Sequence, residues 1–139
     1  MSKNVLTSDE EIKQLIGSAK TIAVVGLSKD PNKDSYRVAK YLQDHGYKII
    51  PVNPTISEVL GEKAYPSLKE VPGPVDIVDV FRRPEDVPPI AEAAAGIKAK
   101  ALWMQLGIVN DSAAKTAADA GLKVVMDRCL KVEHGRLMG

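Results

Sequence analysis

The chain of 139 residues has little of what several classes of protein require. Its single cysteine, Cys129, excludes an internal disulfide and is typical of a protein kept in a reducing cytoplasm. Aromatic residues make up 4% of the chain and the formal net charge is +1, so we expect neither a base-stacking platform nor a general attraction to nucleic acid. Unbroken apolar runs such as residues 22–25 are far too short to cross a bilayer. Residues 1–13 lack the apolar segment of a secretory signal peptide, and we expect a cytoplasmic protein without a membrane partner.

What the chain does contain is ordinary for a globular protein, with 45% hydrophobic and 27% charged residues. The length suits one core, and we expect a single domain over residues 1–139. Helical patterns alternate with apolar segments that predict buried strands: TIAVVG, YKIIPV, VDIVDVF, KALWM and LKVVM. Residues 58–74 look like an irregular connection with at most a short edge strand or helical turn, and residues 127–139 show no regular pattern.

This alternation predicts βαβ units and a Rossmann-like, doubly wound α/β fold. We expect a parallel five-strand sheet in the order 3-2-1-4-5, with helices on both faces. In such sheets a ligand lies outside the carboxyl ends of the strands, where the strand order reverses. Polar and cationic residues follow the predicted strands at those ends, at positions 26–28, 53–54, 81–83, 105–107 and 127–129.

The segment VVGLSKDPNKDSYRVAKYL, residues 24–42, predicts a strand, a polar loop and a helix that begins near Ser35. Amide groups at a helix N-terminus and the helix dipole favour an anion, and Gly26 would let the backbone approach a ligand closely. The dinucleotide fingerprint G-x-G-x-x-G is absent, because this loop has one glycine. Hydroxyl and cationic side chains in or near the loop are candidates for binding a highly charged anion: Ser28, Lys29, Lys33, Ser35, Arg37, Arg82 and Arg83.

The end of the second strand narrows the choice of ligand. An NAD site places an Asp or Glu there to hold the ribose hydroxyls, whereas this chain has PVNPT, residues 51–55, without an acid. That favours a ligand with a phosphate on its adenosine ribose. NADP and coenzyme A (CoA) both carry one, and the residues alone leave both open.

Five stretches, in order along the chain, resemble a known family: TIAVVGLSKDPNKDSYRVAKYL, GYKIIPVNP, VDIVDVFR, LWMQLGIVN and VVMDRCLKVE. They are similar to the small single-domain CoA-binding proteins of bacteria and archaea. Those proteins resemble in turn the N-terminal CoA-binding domain of the succinyl-CoA synthetase α subunit. The resemblance runs from about Leu15 to about Glu133, and it implies a Rossmann-like fold that binds CoA through its phosphorylated adenosine and its diphosphate.

The resemblance also implies a place on the ligand for each matched residue. It places one group at the phosphates: Gly26, Ser28, Lys33, Ser35 and Arg37. It places the others at the ribose (Asn53 and Pro54), at the adenine or its 3′-phosphate (Val80, Arg82 and Val87) and along the pantetheine arm (Gln105 and Gly107).

No catalytic set of residues accompanies these positions. The sequence has no Ser-His-Asp order, no metal-ligand spacing and no Walker motif, so we expect neither a catalytic residue nor a metal site. His45 is best explained as a solvated side chain at a helix end, and His134 as part of the tail. Asp76 and Asp79 flank a strand and are not convincing as an acid/base pair, because no partner carboxylate is spaced to shift their pKa values.

Cys129 follows the fifth strand beside Arg128, a cation that would favour the thiolate. One hypothesis is a mixed disulfide with the CoA thiol; the alternative, which we favour, is a small buried packing residue. We expect a non-enzymatic protein that binds CoA or acyl-CoA as a carrier, sensor or accessory subunit. Two alternatives stay open: an NADP-binding oxidoreductase, and the CoA-binding component of an acyl-CoA ligase completed by another chain.

Overall fold

Strands and helices alternate along the chain and build a sheet with helices on both faces. The structure is a computed structural model that describes residues 3–138. The strands are β1 (Thr21–Val25), β2 (Lys48–Val52), β3 (Glu58–Val59), β4 (Glu62–Lys63), β5 (Ile77–Val80), β6 (Ala101–Met104) and β7 (Lys123–Val125). The helices are α1 (Asp9–Ser18), α2 (Asp34–Asp44), α3 (Val87–Gly96), α4 (Asp111–Asp119) and α5 (Leu130–Met138), with 3₁₀ turns at Leu68–Glu70 and Pro84–Asp86.

Five strands form one parallel sheet in the order β2-β1-β5-β6-β7, and β3 pairs with β4 as a separate antiparallel hairpin. The Rossmann-like α/β fold and all five long strands are confirmed. The predicted order 3-2-1-4-5 is wrong, because the third long strand, β5, pairs with β1 on the side away from β2. Numbered along the chain, the long strands lie in the order 2-1-3-4-5.

Asp76, which directly precedes β5, accounts for this order. Its Oδ2 accepts hydrogen bonds from the amides of Lys20 and Thr21 at 2.7 and 3.1 Å, and its own amide donates to Thr21 Oγ1. The start of β5 is thereby joined to the start of β1, while residues 53–75 are long enough to cross over from β2. The strand order reverses between β1 and β5, so the ligand crevice of this fold lies where those two strands end.

The core lies on both faces of the sheet. Buried residues of α1, α2 and α5 pack on one face, with Ile16, Leu42 and Leu130 at most 1% exposed. Buried residues of α3 and the Ala-rich α4 pack on the other. Small alanine side chains let α3 and α4 lie close together, which fits the many alanines of both helices.

Helix α5 occupies residues in which the sequence showed no regular pattern. The guanidinium of Arg136 on this helix donates hydrogen bonds to both carboxylate oxygens of Asp9 on α1, at 3.0 and 2.7 Å. It also donates one to Glu133. Tertiary contacts of this kind, rather than local helix propensity, explain a helix that contains Gly135. The helix matters for function because its first turn stands beside the carboxyl ends of the strands.

Candidate functional site

Two adjoining clefts lie at the carboxyl ends of the strands. The first, here called the loop cleft, holds about 660 Å³ and lies between the β1–α2 loop and the segment after β5. The second, here called the side cleft, holds about 350 Å³ and lies between α2, the segment after β6 and the start of α5. Asp34, Phe81 and Ile108 line both clefts, so the two adjoin each other.

Gly26 begins the loop and has a φ of +90°. A Cβ atom there would lie 2.3 Å from the carbonyl oxygen of Phe81, closer than any side chain tolerates. The sequence suggested that this glycine lets a ligand approach the backbone. The structure gives a different reason, since the glycine lets the ends of β1 and β5 approach each other.

The N-terminus of α2 presents free amide groups to the loop cleft. Lys33 occupies the N-cap position without a side-chain hydrogen bond to the helix, whereas Ser8 and Asn110 cap α1 and α4 with theirs. Within residues 3–138 the amides of Asp34, Ser35 and Tyr36 have no acceptor. Their N–H groups and the helix dipole favour an anion at this point.

Two serine hydroxyls complete this end of the cleft. Ser35 Oγ accepts a hydrogen bond from the amide of Ser28 at 3.0 Å, and Ser28 Oγ accepts one from the amide of Asp30 at 3.0 Å. Neither hydroxyl donates to another of the described residues. Each therefore keeps its proton for an acceptor in the cleft.

The cations around the clefts differ in how they are engaged. Arg82 lines the loop cleft, has Nη1 beside Gly26, and forms no ion pair or hydrogen bond with any other described residue. Arg83 pairs with Glu85 and Asp86, and Arg37 is held by Asp34 and by the carbonyl of Asn32.

Lys33 is exposed and lines the loop cleft, whereas the exposed Lys29 lines neither cleft. Arg82 and Lys33 are therefore the cations of the loop cleft whose side chains no other described residue engages.

The structure brings together part of the predicted site. The loop cleft contains Gly26, Ser28, Lys33, Ser35 and Arg82, and the side cleft contains Arg37 and Gln105. The predicted residues that line neither cleft are Asn53, Pro54, Val80, Val87 and Gly107.

Those five have other roles in this structure. Asn53 is buried, and its Nδ2 donates to the carbonyl of Leu27 at 3.0 Å, so it fixes the loop. Val80 and Val87 are 0% exposed and belong to the core beneath the cleft. Gly107 is exposed with a φ of +84°, and its amide already donates to Asp127. Pro54, the next residue after Asn53, is exposed.

Gln105 covers a buried carboxyl group. Asp79 on β5 is 0% exposed, and it lies between Val24 of β1 and Trp103 of β6. Gln105 Nε2 donates to its Oδ1 at 2.6 Å, whereas Oδ2 has no partner among the described residues. Burial raises the pKa of Asp79 to about 7, and the hydrogen bond from Gln105 opposes that rise only in part.

Sequence reasoning missed several residues of the clefts. Phe81 and Ile108 form the wall that joins the two clefts, and Lys131 and Val132 come from the first turn of α5. Apolar residues next to strand ends look like ordinary core residues in a sequence, and no pattern predicted α5. Cys129 also lines the side cleft and is half-buried, so it is not the enclosed packing residue that we favoured.

The two histidines lie apart from both clefts. His134 Nδ1 is 2.9 Å from the hydroxyl of Tyr41, and its ring centroid is 4.9 Å from that of His45. Burial, together with the charge of His45, lowers the pKa of His134. This cluster joins the C-terminal half of α2 to α5, and it has no contact with the loop at Gly26.

Comparisons with known proteins give the family. A family model described as CoA binding domain matches residues 20–135. The chain belongs to this CoA-binding domain family. It is 51% identical to YneT of Bacillus subtilis (strain 168), a protein without an assigned function, over 91% of this chain and 94% of that protein. It is also similar to a solved hypothetical protein from Pyrococcus horikoshii OT3, with 42% identity, a TM-score of 0.93, and coverage of 100% of this chain and 97% of that one.

The family extends to larger enzymes. The chain is 53% identical over 57 residues to the α subunit of acetate–CoA ligase [ADP-forming] II from Pyrococcus furiosus, which is 40% of this chain. Those residues are 12% of the ligase subunit, so this chain corresponds to a small part of it. Among residues 3–138 no group of three or more metal-ligating side chains occurs, and no helix has the length and apolar character needed to span a membrane.

Proposed function

We propose that this protein binds CoA or an acyl-CoA through its phosphorylated ADP portion, as one domain over residues 1–139 and without catalysing a reaction on it. The phosphates lie in the loop cleft and the pantetheine arm enters the side cleft. The observation that carries this proposal is the uncapped N-terminus of α2, which lines the loop cleft together with Arg82, a cation that no other described residue pairs. Membership of the CoA-binding domain family supports CoA as the anion.

The electrostatics of the loop cleft suit this ligand. The residues around the cleft include Asp34 and Ser35, whose amides have no acceptor among the described residues, Ser28 and Ser35, whose hydroxyl protons are free, and Arg82. A phosphate monoester such as the 3′-phosphate of CoA carries about −1.5 to −2 charges at neutral pH. Charge-assisted hydrogen bonds from amides and a guanidinium are the strong kind, each contributing about 1.5–3 kcal/mol.

The predicted residues divide into two groups under this proposal. Direct contacts with the ligand come from those that line the clefts: Gly26, Ser28, Lys33, Ser35, Arg37, Arg82 and Gln105. The others line neither cleft: Asn53, Pro54, Val80, Val87 and Gly107.

Calorimetric titration with CoA, dephospho-CoA and NADP tests the proposal. CoA should bind clearly and NADP weakly, and NADP binding as tight as that of CoA would contradict the assignment. Arg82→Ala should weaken CoA binding by about 1.5–3 kcal/mol, or about tenfold to a hundredfold. A larger loss for CoA than for dephospho-CoA places Arg82 at the 3′-phosphate, whereas equal losses place it at the diphosphate.

Arg83→Ala is the matched control. Arg83 adjoins Arg82 in sequence and lines the same cleft, but Asp86 and Glu85 already engage its guanidinium. It should therefore change CoA affinity much less than Arg82→Ala does. Equal losses for the two variants would mean that a general positive potential, rather than a placed guanidinium, attracts the ligand.

A second candidate is a CoA-binding component that acts with a separate ligase chain. The similarity to part of the Pyrococcus furiosus ligase subunit favours it. Sedimentation of this protein mixed with a purified ATP-dependent acyl-CoA ligase subunit, with and without CoA, tests it. A stable complex would favour the component, and independent sedimentation under both conditions would favour the stand-alone binding protein.

A further inference from the structure

The side cleft adjoins the loop cleft at Asp34, Phe81 and Ile108. A ligand with phosphates at the N-terminus of α2 can therefore extend past Phe81 and Ile108 into the side cleft. Gln105 lies in this cleft, and its amide is fixed by the bond to the buried Asp79. The hydrogen bond to Asp79 thus fixes the orientation of the Gln105 amide group in this cleft.

The rim of the side cleft carries exposed apolar side chains. Leu106 is 71% exposed and Val132 is 58% exposed, and these are the two most exposed large hydrophobic side chains of residues 3–138. Both line this cleft, together with Val38, Phe81 and Ile108. Two apolar side chains that flank one cleft and remain open to water would be stabilised by an apolar group that covers them.

The two cations of the side cleft are engaged differently. Arg37 is bound to Asp34 and to the carbonyl of Asn32. Lys131 forms no ion pair with another described residue, and its Nζ lies 5.6 Å from the ring centroid of Tyr41 on α2, a cation–π contact. The exposed apolar side chains at the rim favour an uncharged acyl group, and a charged acyl group would depend on Lys131 instead.

We propose that the apolar rim formed by Leu106 and Val132 binds the acyl group of an acyl-CoA. The preferred ligand is then a thioester with an uncharged acyl chain of several carbons, rather than free CoA. This inference rests on the proposed function, because it needs the phosphates in the loop cleft and the pantetheine arm in the side cleft. It goes beyond that function by naming the substrate class and the residues that select it.

Titration of the full chain with CoA, acetyl-CoA, hexanoyl-CoA and succinyl-CoA tests the inference. Hexanoyl-CoA should bind about tenfold more tightly than acetyl-CoA, well below the roughly 200-fold that complete burial of four methylene groups would give. Succinyl-CoA should show no such gain. Equal affinity for free CoA and all three thioesters, or tightest binding of succinyl-CoA, would overturn the inference and leave CoA binding intact; absence of CoA binding would overturn both.

Matched variants test whether Leu106 and Val132 cause the gain in affinity from acetyl-CoA to hexanoyl-CoA. Leu106→Ser and Val132→Ser should each reduce the gain from acetyl-CoA to hexanoyl-CoA to about threefold or less, measured relative to the affinity of the same variant for free CoA. Val109→Ser is the control, because Val109 is 47% exposed but lines neither cleft, and it should keep the full gain. An undiminished gain in the first two variants, or a change of sedimentation coefficient that shows the rim to join two copies of the chain, would contradict the proposal.

Discussion

Replacing Asp79 by asparagine should remove a loss of stability that the protein otherwise undergoes between about pH 4 and pH 7. Asp79 is 0% exposed, its Oδ2 has no partner among the described residues, and burial raises its pKa to about 7 from 3.8. Between these two values the folded protein holds a proton that the unfolded chain has released. The free energy of unfolding therefore falls as the pH rises through this window, and it levels off above about pH 7.

The magnitude follows from the two pKa values. The interval from 3.8 to about 7 corresponds to about 4 kcal/mol of free energy of unfolding. The asparagine side chain of the variant stays neutral throughout and keeps a carbonyl oxygen for the hydrogen bond from Gln105 Nε2. The variant should match the native protein near pH 4 and exceed it in stability near pH 8 by a large part of that amount.

Urea denaturation at a series of pH values measures this difference, and comparing the two proteins cancels the other titrating groups. Asp76→Asn is the contrasting variant. Although partial burial opposes it, bonds from the Lys20 and Thr21 amides and from Lys100 lower the pKa of Asp76, so its stabilisation is present above about pH 4 and lost in acid. The two variants should thus have opposite signs near pH 8. A pH-independent difference between native protein and Asp79→Asn would refute the reasoning, since it would mean that Asp79 titrates normally.

Three further predictions concern the loop and the clefts. Gly26→Ala should destabilise the protein by about 3 kcal/mol or more on denaturation, because its Cβ would meet the Phe81 carbonyl at 2.3 Å in addition to the left-handed φ. Asn53→Ala should cost about 1–3 kcal/mol, because a buried loop carbonyl loses its donor at 3.0 Å. Saturating CoA should slow alkylation of Cys129 by N-ethylmaleimide, because this thiol lines the side cleft.

Each of these has its own control. Gly46→Ala has the same kind of φ, +94°, with nothing within 4 Å of the added Cβ, so it should cost only about 1–2 kcal/mol; parity with Gly26→Ala would contradict the close approach to β5. For Asn53, a loss below about 0.5 kcal/mol would show that the loop is held by other contacts. For Cys129, ATP should leave the alkylation rate unchanged, and an unchanged rate with CoA would exclude the pantetheine arm from the side cleft.

The architecture could be predicted because strand and helix periods are local properties of a sequence. The β-branched apolar runs predicted the five long strands, and the helices that alternate with them predicted a parallel sheet. The order of the strands depends instead on long-range contacts such as the bonds from Lys20 and Thr21 to Asp76, more than 50 residues apart. Nothing in the local pattern of residues 53–75 predicts on which side of β1 the following strand, β5, pairs.

The predicted site residues come together where they are contiguous in sequence. Gly26, Ser28 and Ser35 lie on one loop and one helix start, so their meeting follows from the strand–loop–helix pattern. The sequence did not show that Val80 and Val87 are buried, because inward and outward positions alternate along a strand and around a helix, and both of these point into the core. The side cleft depends on α5, a helix held by Arg136 and Asp9, and no local signal predicts that contact.

The raised pKa of Asp79 also could not be predicted from the sequence. An aspartate in VDIVDVF looks like one of two polar residues flanking a strand, and no carboxylate partner was visible. Its environment is set by β1 and β6 on either side and by Gln105 above, from three separate segments of the chain. Burial alone, without a partner charge, is sufficient to shift it.

The central claim is that the phosphates of CoA lie against the N-terminus of α2, and nuclear magnetic resonance tests it most directly. In a titration of ¹⁵N-labelled protein with CoA, the amide resonances of residues 34–36 should shift most, and those of Lys100 and Lys123, which line a cleft at the opposite end of the sheet, should stay in place. Arg82→Ala should reduce the shifts at a given CoA concentration. Shifts concentrated at Lys100 and Lys123, with residues 34–36 unmoved, would contradict the account.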